Sequence, residues 1–109
     1  MHTRLALLAT LSLLSLTLGV GSSLAQARVG GERPPCVQAT SNARFDGVGF
    51  GHWVSVNNTC DHTVECDIST NVAPSPTHVT LTRGQRQDVN TFLSSPAREF
   101  TATVTCPER

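Results

Sequence analysis

Past residue 27 this 109-residue chain carries three histidines, His52, His62 and His78, and these are its residues best suited to chemistry. Imidazole nitrogens and carboxylate oxygens hold zinc or copper, and Asp61 and Glu65 stand close to His62 in the sequence. No spacing forces the three rings together, so a histidine-based periplasmic metal binder competes with plain surface or turn histidines, and no metal site is assigned. A blue-copper centre needs a free cysteine and usually an axial methionine, whereas the one methionine here is Met1.

Catalytic patterns are sparse. The chain has no lysine and no tyrosine, which removes Schiff-base chemistry, a P-loop lysine and a Ser-Lys dyad. Ser41, Ser55, Ser69, Ser75, Ser94 and Ser95 lie outside any G-x-S-x-G elbow, leaving a triad to be assembled only in space. Glu65 and Asp67 point the same way on one extended segment, at roughly the 6.5–9.5 Å separation of inverting glycosidases, although such a pair is also an ordinary wet sheet face. Gly47-Val48-Gly49-Phe50-Gly51 lacks the dinucleotide-binding spacing and leads into a strand pattern instead of a helix. With no motif that names a reaction, we assign no catalytic residue and no cofactor, and read the chain as a non-enzyme.

Other features speak to contact. Pro74-Ser75-Pro76-Thr77 forms a stiff connection running into His78, the kind of loop a small protease inhibitor presents, because stiffness reduces the entropy lost on binding. Trp53 and Phe50 are candidate contacts if exposed. Thr101, Thr103 and Thr105, with Thr80 and Thr82, form hydroxyl rows that could order water or a sugar, although threonine is also simply a good residue for a wet strand face. Asn57-Asn58-Thr59 matches a glycosylation sequon and equally a turn.

Charge narrows the partners. Eight basic and eight acidic residues balance, and removal of Arg4 with a leader leaves seven against eight. That balance gives no general attraction to phosphate backbones or to anionic lipid, so neither nucleic acid nor a membrane surface is expected as a partner, and an unidentified protein or glycan is. Residues 1–27 read as a secretory signal: His2 and Arg4, an apolar run from Leu5 to Val20, then Ala25-Gln26-Ala27 before cleavage. About 16 helical residues reach roughly 24 Å, short of a hydrocarbon core near 30 Å, so no membrane anchor is expected after cleavage. The destination is secreted or periplasmic.

Residues 28–35, with two glycines and two prolines, read as a flexible leader, and 36–109 as one small domain. Cys36, Cys60, Cys66 and Cys106 form an even set without C-x-x-C spacing, which predicts two disulfides in an oxidising compartment. Strand parity turns Cys66 and Cys106 inward and favours a Cys66–Cys106 bridge across the core, with Cys36–Cys60 by exclusion. A Cys60–Cys66 clip with Cys36–Cys106 competes closely.

The elements alternate with a period of two. Val54 and Val56 share one strand face, while Val64, Cys66 and Ile68 share another opposite Thr63, Glu65, Asp67 and Ser69. Asn57-Asn58-Thr59 supplies a turn between them, and Phe45 to Gly51 could lengthen the first strand with a bend or bulge. Val79 and Leu81 lead through Arg83-Gly84-Gln85 in a hairpin-like turn to Gln87–Phe92, and Phe100, Ala102, Val104 and Cys106 line a final strand. Trp53 is expected to cap one end of the core. Prolines at 74, 76 and 96 interrupt the ladders, and no window shows a helical stripe. The prediction is an all-β chain: a small antiparallel β-sandwich or partly open barrel of at least five strands, stapled by two disulfides.

The segment from Trp53 to Val64, a strand ending in Asn-Asn-Thr-Cys and a second opening with Thr-Val, resembles the first hairpin of thaumatin-like proteins over about 12 residues. The family is longer and richer in cysteine, so no functional residue is carried across. From Cys36 through Ser95-Pro96 to Phe100–Cys106, the layout resembles small exported bacterial β-sandwich proteins of unassigned function, which implies a compact sheet domain only. Three roles follow as expectations: a secreted non-catalytic binding or structural domain first, a protease inhibitor presenting Pro74 to His78 second, and a metal binder through His52, His62 and His78 third.

Overall fold

The structure, a computed structural model, describes residues 29–107. Residues 1–27, read above as an export signal, lie outside the described residues. Seven strands form two sheets: β1 Val29–Gly30, β2 Val37–Phe45, β3 Phe50–Asn58, β4 Val64–Thr70, β5 Thr77–Leu81, β6 Arg86–Ser95 and β7 Ala102–Thr105. One sheet runs β1-β7-β4-β5 and the other β2-β3-β6. There is no helix among the described residues. This is the predicted all-β architecture, in the form of a sandwich.

Alternation explains which faces meet. Val54 and Val56 of β3 and Val89 of β6 turn inward from the three-stranded sheet. Opposite them lie Val64, Cys66 and Ile68 of β4, Val79 and Leu81 of β5, and Ala102 and Val104 of β7. Shifting any of these strands by one residue would exchange its apolar side chains for Glu65, Asp67 or the threonines of β7, so the register is strongly specified.

Both favoured disulfides form, Cys36–Cys60 and Cys66–Cys106. Their route differs from a bridge between layers. The pairing of Asp67 with Thr105 sets Cys66 directly opposite Cys106 on the inner face of a single sheet. Cys36–Cys60 closes the open end of the β2–β3 hairpin, where the Thr59 amide donates to the Cys36 carbonyl at 2.9 Å. Each bridge ties neighbours within one sheet, and the interlayer contact is left to the aliphatic side chains. In the chain-entropy view, loops of 24 and 40 residues contribute about 3.5 and 4 kcal/mol.

Connections also differ from simple hairpins. From β3 to β4 and from β5 to β6 the chain passes between sheets, so neither the Asn57–Thr59 region nor Arg83–Gln85 joins paired strands. Asn58 holds both crossings together. Its buried side-chain amide donates to the carbonyls of His62, Leu81 and Thr82 at 2.9–3.1 Å, and its oxygen accepts the Cys60 N–H at 2.9 Å. The stretch read as a leader carries order too: Val29–Gly30 runs parallel to β7, and the Cys106 amide donates to the Glu32 carbonyl. Its prolines and glycines fit here because β1 is a two-residue edge strand that asks little of the ladder.

Candidate functional site

One end of the three-stranded sheet concentrates exposed apolar side chains. Val48 is 86 % exposed, Leu93 70 % and Phe45 66 %, with Phe50 partly exposed and 5.4 Å from Phe45 in an edge-to-face pair. Three chain segments meet there: the end of β2, the four-residue turn Asp46–Gly49, and the end of β6.

Asp46 builds this end. Its amide donates to the Gly49 carbonyl at 2.8 Å, closing the turn. One carboxylate oxygen accepts the Val48 and Gly49 amides at 3.0 and 2.8 Å, and the other accepts the Ser94 amide and hydroxyl at 3.1 and 2.9 Å. These donors, Gly49 foremost, then Val48 and Ser94, hold the Asp46 carboxyl below its ordinary value. Gly47 and Ser94 adopt positive φ of 98° and 51°, and the bonds to Asp46 hold Ser94 in that unusual conformation. Gly49 lies so close to β6 that a Cβ there would approach the Ser94 carbonyl carbon to 2.7 Å. Apolar side chains are thus presented on a tied backbone.

Two arginines lie over aromatic rings of this sheet. The Arg98 guanidinium lies 5.9 Å from the centre of the Phe50 ring, and that of Arg44 lies 5.0 Å from the Trp53 indole. Trp53 does not cap the core as expected: β3 parity turns it to the outer face, between Asn42 and Asn90 in the register. The inward residue is its neighbour His52, fully buried, stacked on Phe100 at 4.1 Å, with Nε2 2.8 Å from the Ala97 carbonyl.

The other candidates lie apart from this end and from one another. His62 is exposed in the β3–β4 connection, bonded to Asp61, whose carboxyl it holds below the ordinary value. His78 is on the outer face of the four-stranded sheet, with Nδ1 2.8 Å from Asp67 and Nε2 3.6 Å from Glu65. The Asp67 hydrogen bond, with its charge and that of Glu65, raises the His78 pKa above 6.5. The carboxylate pair considered for glycoside chemistry therefore brackets an imidazole on an open sheet face. The structure does not bring His52, His62 and His78 together, and no group of three or more metal-ligating side chains converges among the described residues. Pro74, Ser75 and Pro76 are exposed, and the loop base is fixed where the Thr70 hydroxyl oxygen accepts the Val72 and Ala73 amides.

Clefts among the described residues lie elsewhere. A small one of about 370 Å³ lies between Pro34, His62, Glu65 and Pro107, and a broad one of about 1380 Å³ follows the edge of β2 past Ala39, Ala43, Arg98 and Phe100. Neither is lined by Phe45, Val48, Phe50 or Leu93.

Of the apolar end, the sequence reading singled out Phe50 alone. Phe45, Asp46, Val48 and Leu93 were missed, although Asp46-Gly47 between apolar residues is a hairpin signal. Comparison with protein-family models, with curated proteins and with solved structures gives no match for the chain.

Proposed function

We propose that the chain is an exported, non-catalytic binding domain that acts by contact, and that its contact surface is the apolar end built on Asp46. The observation that carries this reading is that Phe45, Val48 and Leu93 are exposed and Phe50 half-buried at one end of the three-stranded sheet, around a turn whose carboxylate accepts four hydrogen bonds. Exposed large apolar side chains gathered at one end of a small domain mark a surface that a partner covers in use. Ordering the surface in advance lowers the entropy lost on binding. The two disulfides fit an oxidising extracellular or periplasmic environment, in keeping with export through residues 1–27.

The test is affinity capture from the secreting culture with protein beginning at Arg28 and both bridges intact, followed by analysis of retained protein, glycan and lipid. Wild type is expected to retain a partner that the Val48→Asp/Leu93→Asp variant does not. Equal retention by both sinks the reading.

A second reading, an enzyme inhibitor presenting Pro74 to His78, is favoured by the exposed Pro74-Ser75-Pro76 segment above its Thr70 anchor. In that case replacement of Ser75, and not of Val48, abolishes binding.

A further inference from the structure

We propose that the chain pairs with a second copy of itself along strand β2, the two β2 strands running antiparallel about a two-fold axis at Ser41 and joining the two three-stranded sheets into one. The surface is the free edge of β2, and the inference is independent of the contact reading at the apolar end.

Backbone chemistry defines this edge. The Thr59 amide donates to the Cys36 carbonyl and the Asp46 amide to the Gly49 carbonyl, so the even-numbered residues of β2 are those that exchange bonds with β3. Antiparallel alternation then turns the N–H and C=O of Ala39, Ala43 and Phe45 away from β3. Strand β2 is outermost in its sheet, and these groups have no partner among the described residues. The broad cleft of about 1380 Å³ runs past Ala39 and Ala43, leaving room along the edge for a further strand.

Exposed strand edges invite pairing, and proteins block them by shortness, proline, charge or bulges. The other three edges carry such devices. Strand β1 has two residues, β5 has five and follows Pro74 and Pro76, and β6 carries Arg86 and Asp88 and meets β3 with two shifts of register. Strand β2 has nine residues in unbroken register with β3, no proline and a single charge, Arg44.

The strand's own symmetry selects a second copy as the occupant. Its open stretch is bounded at one end by Val37, whose N–H already donates to the Pro34 carbonyl, and at the other by Phe45, beyond which the Asp46 N–H closes the turn. Ser41 is the midpoint. A two-fold axis there sets Ala39 opposite Ala43 of the second copy, where each pair exchanges two N–H···O bonds, and aims the Phe45 N–H at the Val37 carbonyl. On the outer face Thr40 stands opposite Asn42 and Gln38 opposite Arg44, so no like charges meet. A second copy thus matches the bounded stretch residue for residue. The contact uses both β2 edges and closes at two copies. Antiparallel pairing points the two apolar ends in opposite directions and leaves Val48 and Leu93 uncovered.

The experiment takes protein from the secreting culture, both disulfides intact, through sedimentation equilibrium over a concentration series reaching about 1 mM, because a single strand pair belongs to the small, weak class of interfaces. Wild type is expected to pass from monomer to dimer and no further, with exchange of the Ala39, Ala43 and Phe45 amides slowing severalfold as the dimer fills. Ala39→Pro removes a donated N–H from each copy and sets a ring in the edge. That N–H makes no bond within the described chain, so the melting temperature at dilution should hold while dimerisation weakens by about tenfold or more. Gln38 is exposed and tests the register without touching the backbone. Gln38→Glu, facing Arg44, should tighten the dimer severalfold and Gln38→Arg should loosen it severalfold. Val48→Asp/Leu93→Asp should leave the dimer constant unchanged. A monomer throughout the series overturns the proposal, even where a segment of another protein slows the same amides. A dimer indifferent to Ala39→Pro, or lost with Val48→Asp/Leu93→Asp, overturns it as well. Should Ala39→Pro fail to fold, the Gln38 variants decide, and equal dimer constants for Glu and Arg at that position overturn the pairing.

Discussion

Asn58 and Asp46 sit at opposite ends of strand β3's neighbourhood and perform the same local task under opposite conditions. Each is one side chain that gathers backbone from separate segments. Asn58 is fully buried and neutral, and it joins the β3–β4 and β5–β6 crossings through bonds to His62, Leu81, Thr82 and Cys60. Asp46 is exposed and ionised, and it joins the β2–β3 turn to the end of β6. Around Asn58 the apolar side chains point inward and form the core, whereas around Asp46 Phe45, Val48 and Leu93 are left exposed. A polar hub of the first kind holds the fold, and a hub of the second kind shapes a surface.

The strongest way to break this comparison is Asn58→Ala. Three carbonyls and the Cys60 N–H would lose their side-chain partner at a site closed to water. Unsatisfied buried groups cost about 1–3 kcal/mol each, with partial relaxation, so a loss of about 3 kcal/mol is expected. For a domain of this size that lowers the melting temperature by about 12–24 °C, measurable by calorimetry. A fall of only a few degrees would show that Asn58 is dispensable and that the two hubs do not differ in kind.

Gly49→Ala probes the exposed end by packing alone. The added methyl would press on the backbone of Ser94 and Ser95, at 2.7–2.8 Å, and neither can swing aside as a side chain tip would. Overpacking of this sort costs about 1–3 kcal/mol. The expected sign of its location is faster hydrogen exchange at the Val48 and Ser94 amides with no change at Cys60. Uniform loss across the molecule would instead make the apolar end part of the core's cooperative unit.

Legibility in the sequence follows the same division. Strands β4, β5 and β7 alternate large aliphatic with polar residues, so Val64, Cys66, Ile68, Val79, Leu81 and Val104 were readable as core, and parity favoured the cysteine pairing that forms without excluding the Cys60–Cys66 clip. Strand β2 was missed because after Val37 its next inward positions are Ala39, Ser41 and Ala43, too small to stand out against Thr40 and Asn42. His52 was readable by the same parity, being in phase with Val54, but polar identity drew it toward the surface. The crossings between sheets were hidden, since Asn58 works through partners 2 to 24 residues away. The candidate site was least legible of all: an exposed Val or Leu in sequence looks like any core residue until the fold fails to bury it.

A third prediction concerns the outer face of the four-stranded sheet, remote from both hubs. There the Asp67 hydrogen bond raises the His78 pKa above 6.5, so the pair's contribution is complete below pH 6.5 and fades as pH rises through the folded value. Asp67→Asn should return the His78 ring titration, followed by NMR, toward 6.5, with little change in melting temperature because the pair is exposed. A titration that does not move would remove Asp67 as the cause.

The smallest expected effect separates the two hubs by charge. The Asp46 carboxyl ionises more readily in the fold than at its ordinary 3.8, chiefly through the Gly49 and Val48 amides, so its contribution is intact above pH 3.8 and is lost as pH falls through the lower folded value. Asn58 has no proton to gain in that range. Hydrogen exchange measured stepwise into acid should therefore show the Val48, Gly49 and Ser94 amides losing protection below pH 3.8 while the Cys60 amide, held by the Asn58 oxygen, keeps its own. Asp46→Asn at neutral pH should reproduce the first half of that result, because a neutral amide oxygen is a weaker acceptor for the same donors. Simultaneous loss at both sets of amides would mean that the exposed turn is not an independent element, and that its apolar side chains are displayed by the fold as a whole instead of by one carboxylate.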